Sequence, residues 1–310
     1  MNKQKGRISL WLGFILVSAL FIVAIFGPMI APYDKDFQVK AEYVEINGSQ
    51  VIVSPPLPPS EKYLIGTDKW GHDMLTILLY GARYTLFVTI ACALLRVVLG
   101  VIIGLKIGMA DRPQRWWTSL ESAWGHVPVF LPVYFLLYRI NINSPLSSFD
   151  LAMIFIIVVS VLGTPSVVSS IRQKTEEVRK AHFVTAAISI GASKNHILLR
   201  HILPQIKEQV MMLFVIEITA VMALMGQLGI FNLFIGGTIE QFDQFDSSIF
   251  LTKTYEWAGL IGQSRSFLQT KQWIFFAPLT AFMLAVLGFT LIANAMKKRY
   301  EEVYNRAPYV

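Results

Sequence analysis

Two charges stand inside apolar runs of this 310-residue sequence: Arg96 within Thr85–Ile107, and Glu217 within Gln209–Leu228. At a rise of 1.5 Å per residue, Arg96 lies about 17 Å into a helix entering from outside, leaving about 13 Å of a bilayer core some 30 Å thick. Glu217 lies about 12 Å into a helix entering from the opposite side, so the depths match. A lone charge at that depth costs on the order of 3 kcal/mol, and each therefore needs a partner or water. The spacing predicts that Arg96 and Glu217 pair between the second and fifth helices. The alternative is that each faces a water-filled passage separately, where Glu217 could meet a cationic group on a solute.

Other reactive types are scattered. Asp68 and Asp73 read as turn and N-cap residues for an amphipathic helix leading into the membrane. A metal site built from His72 and these two acids lacks any spacing that fixes ligand geometry. His72, His126, His182, His196 and His201 show no ligand spacing on one helix face. The single cysteine, Cys92, excludes an intramolecular disulfide and a cysteine metal site. No Walker A, G-x-S-x-G or H-E-x-x-H pattern occurs, so neither ATP binding by a P-loop nor an assembled hydrolase is expected. No basic-plus-aromatic module for nucleic acid is present.

The elements that would position the charges are membrane helices. Hydrophobic residues make up 54% of the chain and mean hydropathy is +0.53, values of an integral membrane protein. Six runs are long enough to span: Ile8–Ala31, Thr85–Ile107, the weaker Ser122–Tyr138 with Pro128 and Pro132, Leu151–Ile171, Gln209–Leu228 and Trp273–Ala295. Ile8–Ala31 reads as a retained first helix and not a signal peptide, because it is long and lacks a small-x-small cleavage site. Gly27 and Pro28 would end or kink it. Residues 32–84 read as a small extracytoplasmic insert, with an NGS turn, a hairpin around Tyr43–Val53 and a proline cluster. A helical core over 85–296 and a tail over 297–310 complete the division. Most of the 27 lysines and arginines fall at the amino terminus, near Arg112, in the loop 172–208 and in the tail, which places both termini and that loop in the cytoplasm.

That loop holds the most patterned polar stretch, EEVRKAHFVTAAISIGASKNHILLRHILP from Glu176 to Pro204. Val184, Ala187, Ile188 and Gly191 recur at helical spacing and give a small apolar face. Gly191 suits a tight turn, Ser193 an N-cap, and Pro204 the boundary of a second short helix through Ile197–Leu203. Such a pair fits docking into a groove on another protein; the plain alternative is an amphipathic loop lying on lipid.

TAAISIGAS followed by HILP resembles the cytoplasmic coupling loop of binding-protein-dependent ABC importer permeases, most of all those of oligopeptide, dipeptide and nickel importers. Ala186, Ala187, Gly191, Leu203 and Pro204 match the family pattern, and Thr185 stands where the family usually has Glu. IGTDKWGHDMLTILLYGARYTL resembles the segment before the second helix of the C-type permease subunit: Gly66, Thr67, Asp68, Gly71, Asp73, Gly81, Ala82 and Arg83 match, with His72 in place of Arg. Trp257–Leu268 is similar to the stretch before the family's last helix. The resemblance implies an all-α, six-helix type I ABC importer permease fold. It also implies that Val184, Thr185, Ala186, Ala187, Gly191, Ala192, Ser193, Leu203 and Pro204 meet an ATPase subunit, with Ala187 and Gly191 in closest contact. Gly66, Thr67, Asp68, Gly71, Asp73 and Arg83 would fix the insert. The implied partners are a second permease subunit, two ATP-binding cassette subunits that carry ATP and Mg, an extracytoplasmic substrate-binding protein and membrane lipid, in a bacterial cell membrane. This chain would bind no cofactor of its own and would pass peptides, or nickel or another chelated metal. The competing classes are a stand-alone channel or secondary transporter, against which no inverted repeat is visible, and an intramembrane enzyme.

Overall fold

The computed structural model describes residues 2–46, 49–110, 115–242 and 248–306. Asn47 and Gly48 of the expected turn, Arg112 and the end of the tail (307–310) lie outside the described residues. Five helices are long and apolar enough to cross a membrane, and six when one bent pair is taken as a broken span. They are α1 (Asn2–Ile30), α2 (Met74–Gly108), the pair α3 (Arg115–Gly125) and α4 (Phe130–Asn141), α5 (Ser148–Arg179), α8 (Leu203–Ile230) and α10 (Gln272–Arg306). Short helices α6 (His182–Ser189) and α7 (Lys194–Ile197) lie between α5 and α8, and α9 (Trp257–Ser264) precedes α10.

Two boundaries differ from the sequence reading and one agrees with it. Helix α2 starts at Met74, and Asp73 caps it as its chemistry predicts: its Oδ2 accepts from Thr76 N at 2.8 Å and from Thr76 Oγ1 at 2.7 Å. The third span breaks between Gly125 and Phe130 with a bend of 78°. Pro128, which has no N–H to continue α3, lies in that break, and Pro132 is tolerated in the first turn of α4. Pro204 does not end a helix. A π-turn over Leu198–Ile202 joins α7 to α8, and Lys194–Ile230 is one run. The wider turn accommodates the Pro204 ring, which a regular α-helix would press against the carbonyl four residues back.

Helix packing uses small residues. Gly100, Gly104 and Gly108 of α2 press against Val167, Ile171 and Thr175 of α5, so closely that a Cβ at any of the three would overlap its neighbour. In lipid no hydrophobic force drives helices together, and such close backbone approach supplies the dispersion energy instead. Pro28 in α1 leaves the Ala24 carbonyl without its helical donor. Arg83 on α2 supplies one, with Nε donating to Ala24 O at 3.0 Å and Nη2 to Ile25 O at 2.8 Å. The insert carries the hairpin β1 (Glu42–Ile46) and β2 (Ser49–Val53), antiparallel with Tyr43 opposite Ile52. A second hairpin that the sequence did not signal, β3 (Thr238–Gln241) with β4 (Ile249–Thr252), lies between α8 and α9.

Candidate functional site: an intramembrane ion pair and a helical hairpin

Arg96 on α2 reaches Glu217 on α8, with Nη1 to Oε2 at 2.9 Å. Both residues are buried, at 5% and 6% exposure. The guanidinium is held from a third side as well: its Nε donates to Val159 O of α5 at 3.2 Å. It lies flat over Gly163, where any Cβ would collide with it. An arginine fixed in this way has little rotamer freedom left to lose when it binds. The pair lines a cavity of about 450 Å³ bounded by α2, α3, α4, α5 and α8, with Trp124, Phe130, Ser166 and Gln227 also in its wall. Trp124 is anchored there by donating from Nε1 to Leu162 O at 3.0 Å. The sequence reading missed Gly163, Trp124 and Gln227. Gly163 sits in an apolar run with no turn signal, and its role exists only because Arg96 comes across from another helix.

Between α5 and α8, α6 and α7 form a hairpin whose turn is Gly191, at φ +84°. Ser193 caps α7 by accepting from His196 N. Val184 and Ala187 point inward, to a cluster with Ile197, Ile202 and Ile206 and with Leu105 and Ile171 of α2 and α5. The expectation that Ala187 faces a partner is therefore replaced: at 7% exposure it packs on its own chain. Thr185, Ala186, Ser189, Gly191 and Pro204 are exposed, Ala192 and Leu203 half-buried. The outward apolar residues are Ile188 and Ile190, the latter 85% exposed. A Cβ on Gly191 would meet nothing within 4 Å. Helical spacing showed that one face is apolar and packs, but not that the packing partner is the protein itself.

Asp68 and Asp73 serve the insert. Asp68 Oδ1 accepts from Trp70 N at 2.9 Å and His72 N at 2.8 Å, and Oδ2 lies 2.9 Å from His72 Nδ1. Gly66 and Gly71 both have positive φ, and Thr67 Oγ1 accepts from Leu57 N at 2.8 Å. Among the described residues no three His, Cys, Asp or Glu side chains gather to hold a metal. His72 also lies 3.3 Å from the Tyr255 hydroxyl, which ties the insert to the segment before α9. Glu256, unnoticed in the sequence, is 1% exposed and stands at the N-cap position of α9, its Oε1 accepting from Ile235 N at 3.3 Å. Burial pushes its carboxyl up to about 7, against backbone N–H groups of Gly259, Ile235 and Ala258 that lower it. Burial likewise pushes the Tyr255 hydroxyl up to about 12.

With this geometry in view, comparison with known proteins is informative. Residues 96–302 match the family described as binding-protein-dependent transport system inner membrane component. Residues 9–50 match the N-terminal TM domain of oligopeptide transport permease C. The dipeptide transport system permease protein DppC of Alkalihalophilus pseudofirmus is 25% identical over 295 residues, covering 95% of this chain and 85% of that one. The glutathione transport system permease protein GsiD of Escherichia coli is 26% identical over 284 residues, covering 91% and 82%. The family match spans both charges of the ion pair, the α6–α7 hairpin and the whole of α8, and this chain therefore belongs to the binding-protein-dependent transport system inner membrane components, as a divergent multi-pass ABC permease of the oligopeptide and dipeptide type.

Proposed function

We propose that this chain forms half of the passage of an ATP-driven importer that takes peptides from an extracytoplasmic binding protein. The observation that carries the reading is a single continuous helix run, Lys194–Ile230, that begins at the exposed cytoplasmic hairpin and bears Glu217 on the cavity. A partner that seats on Ile188 and Ile190 and moves would shift α7, and α7 cannot move without α8. Two ATP-binding cassette subunits would supply that movement by closing on ATP and Mg, and a second permease subunit would complete the passage. No residue of this chain does covalent work in such a cycle. The basic loop and both termini face the cytoplasm in this arrangement, in the cell membrane of a bacterium.

The test is to purify the tagged chain from its native membrane, identify what accompanies it, and reconstitute the assembly in liposomes with its binding protein. Uptake of radiolabelled tri-alanine that requires internal ATP and the ATPase partner is expected. Uptake by the chain alone, with no ATPase, would establish the stand-alone channel or secondary transporter instead.

A further inference from the structure

The ion pair is built like the core of a binding site. Among the described residues, Glu217 Oε1 and Arg96 Nη2 make no hydrogen bond, although their partner atoms Oε2 and Nη1 are joined at 2.9 Å. Both residues line the 450 Å³ cavity, a volume inside the usual range of about 300–1,000 Å³ for small-molecule sites. Its remaining wall is mainly apolar, with Trp124, Phe130 and Leu224, and polar groups come from Ser166 and Gln227. A purely structural pair needs neither the open volume nor the extra hold that Val159 O and Gly163 give the guanidinium.

From this we infer that the cavity is a transport subsite for zwitterionic peptides, in which Arg96 takes the terminal carboxylate and Glu217 the terminal ammonium. The inference rests on the importer reading above. Charge balance supplies its logic. The empty site holds one positive and one negative charge that neutralise each other, and a zwitterion exchanges those partners without leaving any charge unpaired. A ligand with one charge leaves one protein charge buried and uncompensated, the arrangement that low-dielectric sites reject most strongly. A two- or three-residue peptide separates its termini by about 7–10 Å when extended. The pair must therefore part to admit it, and α8, which carries Glu217, is the helix joined to the cytoplasmic hairpin. Loading and ATP-driven motion would act on one coordinate, the Arg96–Glu217 distance.

The experiment uses the assembled importer and four forms of tri-alanine: free, N-acetylated, C-amidated and doubly capped. Equilibrium binding to the permease–ATPase assembly without its binding protein is read by saturation-transfer NMR, while ATP-driven uptake of the free form is measured in parallel. Wild type should bind the free peptide about tenfold or more tighter than the doubly capped one. Arg96→Met/Glu217→Gln, which removes both charges and leaves none unpaired, should reduce that preference to within about twofold. Glu217→Gln alone should lose discrimination at the amino end and keep it at the carboxyl end, with Arg96→Met giving the reverse. An unchanged preference in the double variant, or equal binding of all four peptides by wild type, overturns the subsite. If uptake of the free peptide persists in wild type in those cases, the importer reading stands and the subsite alone falls. If wild type takes up no peptide, both fall together.

Discussion

The end of this molecule that carries α9 and the end that carries the α6–α7 hairpin are built to opposite specifications. At the α9 end, several buried polar groups are answered by other parts of the same chain. Asn141 donates to Phe234 O at 2.9 Å, and Thr238 Oγ1 donates to Asn141 Oδ1 at 2.8 Å while accepting from Phe234 N at 3.0 Å. Trp257 donates from its ring to Leu78 O at 2.9 Å and from its backbone to Thr85 Oγ1 at 2.9 Å. At the other end, the α6–α7 hairpin is held by one apolar cluster beneath it, and its outward face shows Ile188 and Ile190. The difference teaches where each end finds its stability. The α9 end is held largely by polar contacts within the chain, whereas the hairpin presents apolar surface of the kind that another protein covers. Substitutions at the two ends should consequently fail in different ways.

The largest contrast should come from Ile190→Asp. It places a charge on a side chain that is 85% exposed, so thermal stability should hold while association with the ATPase subunit weakens by about 2 kcal/mol or more, the scale of an interface hot spot. Co-purification beside a melting curve checks this, and a fall in melting temperature with association intact would reverse the assignment of the two ends. Thr238→Val should do the opposite. It strips Phe234 N of its acceptor in a buried position and should cost about 1–3 kcal/mol of stability without touching ATPase association.

A pH titration sharpens the same division, because Glu256 belongs to the α9 end. Its carboxyl sits at about 7 in the fold against an ordinary 4.5, so the folded state binds the proton more tightly than the unfolded chain does. The stability it contributes is complete below 4.5, declines as pH rises, and is gone once pH passes about 7. Melting temperature should fall across that window and level off above it, and Glu256→Gln should flatten the profile. A profile that Glu256→Gln leaves unchanged would assign the titration elsewhere. The smallest effect belongs to Gly191→Ala. The added methyl meets open space, but φ +84° is a left-handed conformation, so about 1 kcal/mol of strain is expected from the backbone alone. Hydrogen exchange confined to the α6–α7 turn would register it.

What the sequence by itself determined follows from local rules and from depth. Long apolar runs require helices in lipid, since every backbone group must be satisfied internally. Asp73 and Ser193 have the chemistry of caps, and both cap helices here. Glycine at 191 has the conformational freedom the turn demands. Arg96 and Glu217 could be brought together on paper because a charge in lipid has few places to go and their depths agreed. Tertiary structure alone decided the remainder. Whether Ala187 faced a partner or its own core depended on where α2 and α5 lie, which helical periodicity does not contain. Gly163 became a seat for a guanidinium only when α2 crossed α5, and Glu256 acquired its buried carboxyl only when Ile235 and α9 closed around it. Pro204 marked a boundary in one dimension; in three, a π-turn carries the helix past it and joins the α6–α7 hairpin to the ion pair. Each of these depends on contacts between segments far apart in the chain, and the local pattern around a residue holds no record of which distant surface will meet it.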